Sequence, residues 1–120
     1  MSKVLIVDDS PTDVHVMRTA LEKGGFEVIS AKDGETGLAL AREERPDAVI
    51  MDVVMPGVNG YQATRQLTHD PETASIPVVF VTGKEQPTDR VWGMRQGAVA
   101  YLTKPVTAEQ LVAKIREITA

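Results

Sequence analysis

The sequence of 120 residues, 42% hydrophobic and 25% charged, reads as one globular domain over residues 1–120 with no low-complexity stretch. A net charge of -4 without a dense Lys/Arg cluster argues against nucleic-acid binding, and zero cysteines exclude disulfides, thiolate zinc sites and cysteine nucleophiles. Four apolar residues, Val4 to Val7, separate Met1-Ser2-Lys3 from two aspartates, so neither a signal peptide nor a membrane span is expected, and the reading is cytoplasmic.

The first predicted strand covers residues 4 to 7 and ends at Asp8 and Asp9. Ser10-Pro11 then supplies an N-cap and a proline at the first helical position, which predicts a helix over 11–23 with Val14, Met17, Ala20 and Leu21 facing inward. Gly24-Gly25 stops it. A second strand at 26–29 leads to a helix over 35–44 carrying Leu38 and Ala41 inward, and Pro46 closes it by disfavouring helical backbone at Arg45. The third strand, 48–51, lies in the stretch AVIMDVVMPGVNG, where Asp52 breaks an apolar run before a third helix over about 60–68.

The fourth strand is expected at 76–81 and ends at Thr82. Pro87 opens a fourth helix with Val91 and Met94 expected inward and Gly97 as its stop. Gly93 inside that helix costs about 1 kcal/mol relative to alanine, which predicts close approach of a neighbouring element. Trp92 is expected to be partly buried, or else to serve as an exposed partner anchor. A fifth strand over 99–102 leads to Lys104, and Thr107 caps a fifth helix carrying Leu111, Ile115 and Ile118. His15 and His69 lack metal-ligand spacing and are expected in solvent.

Near-continuous apolar strands alternating with helices call for a parallel sheet covered on both faces, here a three-layer, doubly wound (βα)5 domain of the α/β class. Asp8, Asp9, Asp52, Thr82 and Lys104 all fall at C-terminal strand ends, which share one edge in such a sheet. Taken singly, Asp8 could cap a helix, Thr82 could simply end a strand and Lys104 could be a surface charge; together at one edge they specify a site. Three carboxylates in one crevice repel each other unless a cation offsets them, and Mg2+ suits an all-oxygen donor set. Lys104 and Thr82 would then face an anion, most simply a phosphoryl group on Asp52, the lone acid on a central strand.

These motifs, VDDS at 7–10, MDVVMPGVNG at 51–60, VTG at 81–83 and YLTKP at 101–105, resemble the receiver domain of bacterial two-component response regulators, the CheY-like, flavodoxin-like fold. The resemblance covers the whole chain and implies strand order 2-1-3-4-5. It implies phosphoryl transfer to Asp52 from a histidine kinase or phosphotransfer protein, with Asp9, Asp52 and the Val54 carbonyl holding Mg2+ and Asp8 assisting. Thr82 and Tyr101 match its switch positions, and Lys104 would pair with phosphoryl oxygens before a cis bond to Pro105. The segment 67–105 is further similar to single-domain, PilH-like regulators of type IV pilus twitching-motility chemosensory systems. Output would then be phosphorylation-dependent docking on the face of helix four, strand five and helix five, by a monomer or a weak phosphorylation-dependent dimer.

Val54 and Lys84 depart from the family's tuning positions in carrying neither carboxylate nor amide, so hydrolysis is expected to be no faster than with asparagine at residue 54. Three other readings stand beside the main one: a phosphate sink for a shared kinase, a degenerate receiver that binds constitutively, and an aspartate-nucleophile phosphatase of the haloacid-dehalogenase type. The last expects D-x-D after strand one, where this chain has Asp8-Asp9.

Overall fold

The five apolar runs become parallel strands, β1 (Lys3–Val7), β2 (Glu27–Ala31), β3 (Ala48–Met51), β4 (Val78–Thr82) and β5 (Ala100–Thr103), in a computed structural model that describes residues 2–120. Each strand is followed by a helix: α1 (Pro11–Lys23), α2 (Gly34–Glu44), α3 (Gly60–His69), α4 (Pro87–Arg95) and α5 (Ala108–Thr119). The strand order is β2-β1-β3-β4-β5, as the resemblance implied. β1 pairs with β2 on one side and β3 on the other, Val7 opposite Ala31 and Met51, and β4 aligns Phe80 with Tyr101 of β5. The order reverses at β1 and β3, which places the crevice of the sheet between their C-terminal ends.

Alternate strand residues feed two separate cores, because successive side chains point to opposite faces. Leu5, Val7, Val49, Met51 and Phe80 pack against Leu38 of α2, Leu67 of α3 and Tyr101. Val4, Ile6, Ile50, Val79 and Val81 pack against Met17 and Leu21 of α1 and Leu111 and Ile115 of α5. Helices on both faces explain why the central strands carry apolar residues at every position.

Local signals set the helix limits. Ser10 caps α1 by accepting the Asp13 N–H at 3.2 Å, with Pro11 at the first position. α2 stops at Arg45, whose φ of 45° is left-handed, the turn forced by Pro46. Thr107 and Gln110 form a reciprocal capping box at the start of α5. The predicted second, fourth and fifth strands shift toward the C-terminus: Ile76 closes a turn by donating to the Thr73 carbonyl, and Pro77 follows before β4 begins.

One expectation fails on α4. Val91 and Met94 are not inward but 53% and 41% exposed, and Trp92 beside them is 51% exposed. The helix instead rests on the sheet through Gly93, its one buried residue, where an added Cβ would lie 3.0 Å from the Tyr101 ring and 3.1 Å from Phe80. Met94 and Val91 are turned from that contact by roughly 100° and 200°, so neither can reach the core. The predicted close approach at Gly93 is therefore what sends the two apolar neighbours outward.

Candidate functional site

Asp8 and Asp52 follow directly on the paired central strands β1 and β3, and the ladder carries on into them: Asp8 N–H donates to Ala31 O and Asp52 N–H to Val7 O, each at 3.0 Å. One carboxylate oxygen from each of Asp8, Asp9 and Asp52 falls within 4.8 Å of the others. Asp8 is 1% exposed and Asp52 8% exposed, whereas Asp9 faces solvent at the mouth. Each buried acid ties one oxygen to the backbone. Asp8 Oδ1 accepts from Ser10 N at 2.9 Å and Asp52 Oδ1 from Val53 N at 2.7 Å. Their Oδ2 atoms are left for a cation.

That cation is Lys104. Its Nζ lies 2.9 Å from Asp8 Oδ2 and 3.3 Å from Asp52 Oδ2, and its backbone N–H donates to Thr82 O at 2.8 Å, which joins the ends of β4 and β5 to the acids. The Lys104–Pro105 bond is cis. Burial raises the Asp8 carboxyl above its ordinary range, more than the Ser10 N–H and the ammonium lower it. Burial pulls Lys104 down, but its hydrogen bonds to Asp13 and Asp8 and the charges of Asp52 and Asp8 outweigh it and hold the ammonium above the usual lysine range. It is charged at any physiological pH.

The sequence reading missed Asp13, whose Oδ2 makes the shortest contact to Lys104 Nζ at 2.7 Å. The available signal was its place three residues after the cap Ser10, in the first turn of a helix that starts at the functional edge. Tyr61 was also missed. It is the second residue of α3, its hydroxyl donates to Asp89 O at 3.1 Å, and its ring stacks edge-on against Phe80 with centroids 5.5 Å apart. Phe80 in turn meets Tyr101 at 5.6 Å.

Thr82 is buried at the end of β4, and its hydroxyl accepts weakly from Lys84 N at 3.4 Å. Tyr101 is buried, with its hydroxyl donating to Lys84 O at 2.9 Å and the Arg90 guanidinium 5.5 Å from its ring centre. The two phenols thus anchor both ends of the segment from Lys84 to Asp89. Burial raises both above the ordinary tyrosine value. These are the chain's two tyrosines, so absorbance at 295 nm is expected to show phenolate forming in the native protein only at a pH above the ordinary tyrosine range. Because the unfolded chain releases those protons first, stability is fully present below about pH 10 and declines above it. A native phenolate titrating at the ordinary value would contradict this packing.

Gly60 positions the backbone at Asp52 and Val53. A Cβ there would collide with the Asp52 carbonyl oxygen, and Gly60 N–H donates to Val53 O at 2.9 Å, so α3 starts directly against the backbone of the 52–53 segment. Val54 follows on the loop with 62% of its surface exposed. The donor set at Asp8, Asp9 and Asp52 is entirely carboxylate oxygen, hard and anionic, and fits a small divalent cation such as Mg2+ better than a softer metal. Asp9 gives that cluster an open side. Among the described residues no helix is long and apolar enough to cross a membrane, and His15 and His69 are both exposed.

The sequence pattern of the response regulator receiver domain matches residues 4–116. Protein PilH of Pseudomonas aeruginosa is 58% identical over 120 residues, covering 100% of this chain and 99% of that protein. Response regulator PleD of Caulobacter vibrioides is 39% identical over 118 residues, 98% of this chain but 26% of the longer protein. Among solved structures, the Vibrio cholerae chemotaxis protein CheY4 superposes with a TM-score of 0.92 at 31% identity, over 98% of both chains.

Proposed function

This chain belongs to the response regulator receiver domain family, and from that premise we propose that it is a phosphoryl-accepting signalling switch whose acceptor is Asp52. The observation that carries the reading is the pairing of a buried acceptor carboxylate with Lys104 Nζ at 3.3 Å, inside a cluster of three acids at the sheet crevice. A histidine kinase or a phosphotransfer protein is the donor. Asp52 Oδ2 forms a bond to phosphorus, the donor's P–N bond breaks, and the imidazole leaves with the electron pair.

Asp9, Asp52 and the Val54 carbonyl would hold Mg2+, with Asp8 assisting, and the bound ion supplies charge neutralisation at the phosphoryl oxygens. Lys104 donates to one phosphoryl oxygen and the Thr82 hydroxyl turns to donate to another. The backbone from Lys84 to Asp89, held by Tyr101 and Tyr61, then carries the change to α4. Output is by docking on α4, β5 and α5, in the cytoplasm, by a protein that works as a single receiver domain and catalyses no reaction beyond its own phosphorylation and dephosphorylation. The 58% identity to PilH over nearly the whole of both chains, with the 67–105 resemblance, supports a place in a type IV pilus twitching-motility chemosensory system.

Incubation with acetyl phosphate and Mg2+ should give one phosphoryl adduct by intact mass, and chelation by EDTA should prevent it. An adduct that forms equally well in EDTA would contradict the metal assignment. Val54 is exposed beside Asp52 and has no group to orient an attacking water. Val54→Asn is therefore expected to shorten the phosphoryl lifetime several-fold in a decay assay. A longer lifetime in that variant would overturn the role given to residue 54.

A further inference from the structure

The Lys104 ammonium has three N–H bonds and no more. All three are used on carboxylates: Asp13 Oδ2 at 2.7 Å, Asp8 Oδ2 at 2.9 Å and Asp52 Oδ2 at 3.3 Å. A phosphoryl group on Asp52 takes over the Oδ2 contact, the longest of the three, and its oxygens then compete for the ammonium with Asp13 and Asp8. Asp8 and Asp52 belong to the cation-holding cluster, and Asp13 does not. It stands on α1 with 41% of its side chain exposed, yet makes the shortest contact of the three. It also adds a fourth carboxylate to a crevice that already holds those of Asp8, Asp9 and Asp52.

We propose that Asp13 is a positioning residue that acts through Lys104 as a brake on phosphorylation: it holds the ammonium toward α1 and repels the incoming phosphodonor. The inference rests on Asp52 being the phosphoacceptor. In the step it slows, an Asp52 oxygen bonds to the phosphorus of acetyl phosphate, the P–O bond to acetate breaks, and acetate leaves with the electron pair. A plainer role for Asp13, complementing the positive end of α1, would stabilise the helix without touching that step. The two roles differ in their response to donor charge and to salt.

The test compares wild type with Asp13→Asn, which keeps the size and the Ser10 backbone cap, by phosphorylation rate with Mg2+ and two small donors. Removing one charge near a dianion should accelerate acetyl phosphate by about three- to tenfold, since partly exposed charges interact modestly in water. The gain should shrink with phosphoramidate, which carries less charge, and should shrink again as KCl is raised. Asp13→Glu should return the rate close to wild type. An equal or slower rate in Asp13→Asn with a wild-type thermal melt, or a gain indifferent to donor charge and salt, would overturn the proposal. If Asp13→Asn does not fold, Asp13→Ser, which favours the same helix start, carries the same expectations. Absence of any adduct on wild type would instead remove the reading of Asp52 as acceptor.

Discussion

Gly60→Ala is expected to destabilise the protein by about 3 kcal/mol and to abolish phosphorylation of Asp52, although alanine is the better helix former by about 1 kcal/mol. The added methyl would run into the Asp52 carbonyl oxygen and crowd the Val53 Cα at 2.9 Å. Both are backbone atoms, so no side-chain rotation relieves the collision; either α3 lifts from the sheet or the acceptor loop moves. The usual overpacking penalty of 1–3 kcal/mol sits at its upper end when the obstacle is main chain. Urea unfolding would read the loss in stability, and the acetyl phosphate assay the loss of acceptor geometry. A stable Gly60→Ala protein that is phosphorylated at the wild-type rate would show that α3 does not brace the acceptor.

Lys104→Met is expected to cost about 3 kcal/mol at neutral pH in EDTA, because breaking a buried pair leaves its carboxylates without a counter-charge. Asp8, almost fully buried, loses the ammonium at 2.9 Å, and Asp52 loses the one at 3.3 Å. The sign with pH follows from Asp8, whose folded-state value is already raised by burial and rises further without the lysine. The folded protein then holds a proton the unfolded chain releases, so the variant is least impaired at acid pH. Its deficit grows as pH climbs through the carboxylate range. Millimolar Mg2+ should restore part of the stability. A midpoint unchanged by the substitution, or a deficit that deepens toward acid pH, would contradict the role of Lys104 as counter-ion.

Local chemistry makes much of this fold legible in the sequence. Ser10-Pro11 and Pro46 fix helix limits through backbone sterics and capping that need no tertiary partner: α1 begins at Pro11 and α2 ends at Glu44, where they place those limits. Asp8, Asp52 and Lys104 were visible because each follows an apolar strand, and parallel topology brings such ends to one edge. What stayed hidden depends on distance along the chain. Asp13 and Lys104 are separated by 91 residues, and a place in the first turn of α1 does not by itself mark an acid as the partner of a lysine after β5. Val91 and Met94 read as inward because apolar spacing is a rule for helices that pack by side chains, whereas α4 packs by the bare backbone of Gly93. Tyr61 was silent for a related reason: its hydroxyl meets Asp89 O only once α3 and α4 are both in place.

Intact mass spectrometry of wild type and Asp52→Ala after incubation with acetyl phosphate and Mg2+ decides whether the buried aspartate after β3 accepts the phosphoryl group. One phosphoryl adduct is expected on the wild-type chain and none on Asp52→Ala, with both proteins folded by circular dichroism. An adduct of undiminished yield on Asp52→Ala, or none on the wild type, would contradict Asp52 as the acceptor.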